Sequence, residues 1–255
     1  MSHTREILER GGCAVGGEAA TGYDGTVLAY AAAGLDFVWI DLEHTLLDLS
    51  DAGRLIRLAR QSSITPIVRI PGLEPALVRR LTDNGAQGII LPYVEDPVSA
   101  ETLVAACRFP PLGRRGVGSP LYANDMRMRS MAEHVRGGDV LVIVQIESAR
   151  GVELADRIAS VDGVDAIVLG LADLSVSLGV PGELDHELVV SGAERVFAAC
   201  RAAGVVSGAA GTPDVGPWVR RGARFLQAVN DVHLIAEGAM TRAEALRAAV
   251  AEASL

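Results

Sequence analysis

Four short stretches carry the residues best suited to chemistry. Ile40-Asp41-Leu42-Glu43-His44 sets three ionisable groups within four positions, right behind an apolar run. Arg69 stands inside Thr65-Pro-Ile-Val-Arg-Ile-Pro71, where a guanidinium among apolar neighbours is costly unless it is paired. Val144-Gln145-Ile146-Glu147 ends another apolar run, and strand alternation puts Gln145 and Glu147 on one face. Gly170-Leu-Ala-Asp173-Leu-Ser175 follows a further run. Glu147 and Asp173 together offer two hard oxygen ligands with positions left for water and substrate, the Mg²⁺/Mn²⁺ pattern. The structural alternatives are a barrel-end ion pair for Glu147, to Arg69 or Arg150, and a helix cap for Asp173. For His44, Asp41 and Glu43 they are helix-start hydrogen bonding and solvation.

A zero narrows the chemistry further. All 23 basic residues are arginine, and lysine is absent from the chain. Imine formation needs a side-chain amine that can lose its proton, and arginine does not supply one. Lysine-imine aldolases, lysine-anchored pyridoxal enzymes and P-loop nucleotide binding are therefore excluded. A net charge of −9 with no basic run longer than a pair also argues against nucleic acid as a partner.

These residues need a frame. Short apolar runs at Cys13–Gly16, Phe37–Ile40, Pro66–Ile70, Gly88–Leu91, Val140–Ile146, Ala166–Leu169, Val205–Gly208 and Phe225–Val229 read as strands buried on both faces. Helical spacing appears in Asp51–Gln61 and Pro75–Asp83, and in Ser191–Ala203 and Thr241–Glu252, with Ser191 and Thr241 as expected caps. Eight strands alternating with helices over 255 residues predict a (β/α)8 TIM barrel, one α/β domain spanning 1–255. The irregular stretch Arg108–Asp125 is expected at the C-terminal face of that barrel, among the catalytic loops. His3, His134, His186 and His233 read as tail, helix surface and loop. Three widely spaced cysteines, no apolar leader and no bilayer-length apolar stretch predict a cytoplasmic protein with no membrane partner.

The motifs resemble the HpcH/HpaI aldolases, metal-dependent pyruvate aldolases of the phosphoenolpyruvate/pyruvate barrel superfamily. The likeness rests on Ile40–His44, Val68-Arg69-Ile-Pro71, Gly85–Pro92, Gly113-Arg-Arg-Gly-Val-Gly-Ser119, Gln145-Ile-Glu147 and Gly170–Ser175, all in order. The resemblance implies reversible cleavage of a 4-hydroxy-2-oxo acid to pyruvate and an aldehyde. Glu147 and Asp173 would hold a divalent metal (Mg²⁺ or Mn²⁺, with Co²⁺ or Zn²⁺ as substitutes) that chelates pyruvate. Arg69 would stabilise the enolate, His44 paired with Asp83 would be the acid–base dyad, and Gln145, Ala172, Arg115 and Ser119 would bind substrate. It also implies a homo-hexamer whose C-terminal helix is exchanged between subunits. Cleavage leaves a carbanion delocalised as an enolate, and without lysine a metal and a guanidinium must carry that charge. The 4-hydroxyl proton needs a base, and an imidazole suits neutral pH. Departures fall at Cys13-Ala-Val-Gly-Gly17, Leu46-Leu47, Leu171 and Ala123 or Asn124, most of them in loops or strand ends expected to face the aldehyde. The competing readings are a 2-oxo acid decarboxylase acting on oxaloacetate, a CoA-ester lyase, and a non-catalytic barrel subunit.

Overall fold

In the computed structural model, residues 2–118, 123–137, 140–212 and 214–253 are described. Eight strands form a closed parallel barrel in sequential order: β1 (Ala14–Ala19), β2 (Phe37–Asp41), β3 (Thr65–Arg69), β4 (Gly88–Leu91), β5 (Leu141–Ile146), β6 (Ala166–Gly170), β7 (Val206–Ala210) and β8 (Phe225–Asn230). Side chains alternate between two cores. Ala14, Phe37, Trp39, Ile67, Ile90, Ile143, Val168 and Phe225 fill the barrel, while Val38, Ile40, Val68, Val142, Val144, Ile167 and Leu169 face the helices. Burial on both sides explains why the strands read as unbroken apolar runs.

Aromatic residues pack the lower barrel. Phe37 stacks on Phe225 with ring centroids 4.3 Å apart. Gly16 permits that stack, because a Cβ there would stand 2.3 Å from the Phe37 ring. The ring has Phe225 behind it and cannot retreat. Gly16→Ala is expected to cost about 1–3 kcal/mol through overpacking, seen as a lower thermal midpoint.

Helix boundaries correct two expectations. The helix Glu187–Ala203 is capped by His186, whose Nδ1 accepts from the Leu188 N–H at 3.2 Å. Ser191 lies inside it and donates its hydroxyl to the Leu188 carbonyl, so it is no cap. Thr241 likewise sits inside a longer helix, Asp231–Ala253. That last helix buries only Asp231, which accepts from the Ala20 and Thr21 N–H groups and the Thr26 hydroxyl. Val232, Leu234, Ile235, Met240, Leu246 and Val250 are exposed along it. Among the described residues, no helix is long and apolar enough to cross a membrane.

The stretch 108–125 is also corrected. A helix, Pro97–Cys107, intervenes after β4 and runs back down the barrel. The stretch therefore starts at the pole where strands begin. Arg108 donates there to the carbonyls of Val140 and Gly163 and to Asp165, and Arg60 pairs with Asp125 at 2.7 Å. His134 is a buried residue of this region rather than a surface one, packed edge-on against Phe109.

Candidate active site

The charged residues gather at the opposite pole, where the strands end. Asp41, the last residue of β2, is fully buried. Its Oδ1 accepts from Arg69 Nε at 2.7 Å and from the Glu43 N–H at 3.1 Å, and its Oδ2 accepts from the His44 N–H at 3.2 Å. Asp41 thus shapes the turn that carries Glu43 and His44. Burial alone would raise its carboxyl, but Arg69 and the two N–H groups hold it below the ordinary range. Arg69, the last residue of β3, lies over the Trp39 ring at 5.2 Å and also meets Glu43 at 3.2 Å and Glu18 at 3.5 Å. Burial opposes its charge, and the carboxylates around it outweigh burial. The guanidinium is consequently fixed on a rigid aromatic floor.

Across the mouth, Glu147 is 1% exposed. Its Oε1 accepts from the Tyr93 N–H at 2.8 Å and its Oε2 from Gln145 Nε2 at 2.6 Å. Burial, with Glu43 and Asp173 nearby, pushes its carboxyl up to about 7 despite the Tyr93 N–H. Asp173 stands in the first turn of the helix Leu171–Ser177, whose N-cap is Gly170, so it is not the cap residue. Gly170 is required by close approach: a Cβ there would lie 2.2 Å from Glu147 Oε2. Ala172 is exposed beside Asp173.

This donor set suits a hard divalent cation. Two carboxylates and Glu43 repel one another around one space, and buried Glu43 Oε2 and Gln145 Oε1 make no hydrogen bond. A cation would relieve both conditions. Among the described residues no group of three or more His, Cys, Asp or Glu side chains is placed to hold a metal ion, so these two carboxylates are the protein ligands on offer.

His44 stands at the rim, 58% exposed, with Nε2 3.5 Å from Glu43 Oε2. Its companion within the chain is Glu43. Asp83 ends the helix Pro75–Asp83, which runs down from β3, and it pairs with Arg115 at 3.3 Å near the far pole. Asp83 and Arg115 are therefore not brought to this mouth by their own chain. Ser119 lies outside the described residues.

Sequence reasoning passed over Tyr93 and Glu18. Tyr93 follows β4 in a left-handed backbone conformation, φ +50°, that a bulky residue adopts only under constraint. Its N–H holds Glu147, and burial with the nearby Asp173 and Glu147 carboxylates pushes its phenol above the ordinary range. Glu18 belongs to β1, two residues past the point where Gly16-Gly17 broke the apolar run. Continued alternation from Gly16 would have flagged it as inward. Burial raises its carboxyl, while Asn230 and Arg69 act against that rise.

On this geometry the chain falls in with known proteins. The model of the HpcH/HpaI aldolase/citrate lyase family matches residues 25–237. A 4-hydroxy-4-methyl-2-oxoglutarate aldolase of Chaetomium globosum is 34% identical over 227 residues, covering 85% of this chain and 84% of that protein. A hydroxypyruvate/pyruvate aldolase of Pseudomonas aeruginosa is 40% identical over 184 residues, 69% and 68% of the two chains. The crystal structure of an HpcH/HpaI aldolase from Desulfitobacterium hafniense superposes with a TM-score of 0.92 at 32% identity, covering 97% of each chain.

Proposed function

Because the chain belongs to the HpcH/HpaI aldolase/citrate lyase family, we propose that it is a divalent-metal-dependent aldolase cleaving a 4-hydroxy-2-oxo acid to pyruvate and an aldehyde. The observation that carries the reading is the paired Glu147 and Asp173 facing Arg69 across one mouth. Glu147 and Asp173 would hold Mg²⁺ or Mn²⁺. When bound, the cation supplies Lewis acidity toward the oxygens of the 2-oxo acid.

The chain's own groups do the rest. Arg69, locked by Asp41, aims its remaining N–H donors at the keto oxygen, where negative charge grows as the C3–C4 bond breaks. Its alignment is set before substrate arrives, so little reorganisation opposes the reaction. Gln145 and the backbone at Ala172 orient the pyruvate half. His44, at the rim on the aldehyde side, takes the 4-hydroxyl proton on cleavage and returns it on condensation. Glu43 turns the imidazole toward that task.

Assembly completes the proposal. The standing helix Asp231–Ala253, with its exposed apolar residues, suits exchange between paired copies within a hexamer. Asp83 and Arg115, at the far pole of their own barrel, would then serve the mouth of another copy. The three free cysteines suit the reducing cytoplasm, and burial keeps Cys107 and Cys200 inert, with thiols pushed up to about 12.

Hydrogen exchange at the pyruvate methyl group tests the chemistry. In deuterated buffer the protein is expected to wash out the methyl protons with Mg²⁺ or Mn²⁺ and not with a chelator, as read by NMR after quenching. No exchange with either metal overturns the reading.

A further inference from the structure

Among the described residues, Glu18 is the carboxylate of the mouth that the reaction above leaves without a task. It points inward from β1, in register with Trp39 on one side and Asn230 on the other. Its Oε1 lies 3.5 Å from Arg69 Nη2, and its Oε2 accepts from Asn230 Nδ2 at 3.0 Å. The strand beneath it is pinned: the Glu18 carbonyl accepts from the Tyr30 hydroxyl at 2.9 Å, and Asp231 gathers the N–H groups of the two residues after Ala19. Glu18 is thus fixed in position and retains lone pairs that the long Arg69 contact and one amide do not use.

The inward positions between the proposed metal ligands and Glu18 are unusually small. Gly170 on β6 and Ala210 on β7 pair in register, and Gln227 on β8 folds its amide back onto Gly211 and Val229. Arg69 touches Glu18 directly, so a substrate whose keto oxygen meets Arg69 places the substituents of its next carbons beside the Glu18 carboxylate.

Charge sets the chemistry of that position. Glu18, Asp41, Glu43, Glu147 and Asp173 face one guanidinium, and a divalent cation still leaves the ring formally negative. One substrate carboxylate can be accommodated at the cation. A second, on the aldehyde half, would stand beside the Glu18 carboxylate and be repelled by it.

We propose that Glu18 is a specificity-determining residue that accepts hydrogen bonds from hydroxyl groups on the aldehyde half and turns away a carboxylate there. The substrate class is then a 4-hydroxy-2-oxo acid whose only carboxylate is the one beside the keto group, formed from a hydroxylated, uncharged aldehyde. This deepens the aldolase reading and rests on it.

Condensation of pyruvate with two small acceptors tests it, glycolaldehyde carrying a hydroxyl and glyoxylate a carboxylate. Wild type is expected to favour glycolaldehyde in kcat/KM by roughly tenfold or more. Glu18→Gln, which keeps the shape, should move the ratio at least about tenfold toward glyoxylate, and Glu18→Leu should lose glycolaldehyde selectively. A wild type that accepts glyoxylate equally, or a Glu18→Gln variant with an unchanged ratio, overturns the role of Glu18. Should the variants not fold, the wild-type ratio decides alone. The two failures separate cleanly: methyl exchange with the wrong ratio removes only this inference, whereas no exchange in wild type removes the aldolase itself.

Discussion

Replacing Arg69 with alanine is expected to slow metal-dependent exchange of the pyruvate methyl protons by about 10²–10³, the usual effect of deleting one donor to a developing oxyanion. The donor acts where charge appears, so the loss should show in turnover more than in apparent pyruvate affinity. The same substitution strands Asp41, Glu43 and Glu18 without their shared cation. Removing one partner from a buried ionic cluster costs about 3–5 kcal/mol, so a lower urea midpoint should accompany the slower exchange. Exchange measured well below the variant's thermal midpoint separates the two effects. Arg69→Lys restores charge but not the fork that meets Asp41 and Glu18 together, and should recover exchange only in part. Exchange unaffected by Arg69→Ala would deny it any part in charge stabilisation.

Glu147→Gln has the second large effect, and it runs in opposite directions for binding and stability. If Glu147 holds the cation as proposed, its loss should weaken divalent-cation binding by more than the roughly 10–100-fold typical of outer-sphere changes, as read by titration calorimetry. Stability of the metal-free protein should rise. Burial lifts the Glu147 carboxyl from its ordinary 4.5 to about 7, so between those pH values the folded chain keeps a proton that the unfolded chain releases. The contribution of this group to stability is full below 4.5, falls as pH climbs through the window, and is lowest above 7. Glutamine has no such proton. The variant should therefore melt above wild type at about pH 8, by a few kcal/mol at most, and converge with it toward about pH 4. The Tyr93 N–H can still find an oxygen on the substituted amide, and a flipped Gln145 can offer its presently unbonded Oε1. Equal melting in the alkaline arm would mean that the carboxylate is not strained by burial.

The strands were legible because burial on both faces leaves uninterrupted apolar runs, as in Phe37–Asp41 and Ala166–Gly170. Glu147 was legible for a related reason: alternation from a buried run makes an inward carboxylate just past its end conspicuous. What escaped depended on neighbours or on backbone. The helix Pro97–Cys107 carries apolar residues on several sides, with Leu103, Val104 and Cys107 all buried, so it shows no single stripe. Missing it placed the following stretch at the wrong pole. The resemblance pairs Asp83 with His44; within one chain the helix that descends from β3 delivers Asp83 to the far end, a placement that depends on the barrel's geometry rather than on the motif. Tyr93 acts through an N–H and a strained φ, which composition does not encode.

The aromatic packing under the mouth has a consequence for the hydrogen traffic of any reaction above it. Phe37, Phe225 and Trp39 seal the axis with rings none of which can accept a proton and pass it on along the barrel. The vessel is open at one end only. A hydrogen leaving a substrate carbon and the hydrogen replacing it must cross the same rim in opposite directions, so solvent isotope enters on one face of the planar intermediate. A pyruvate methyl group made chiral with three hydrogen isotopes would carry that one-sidedness as its handedness.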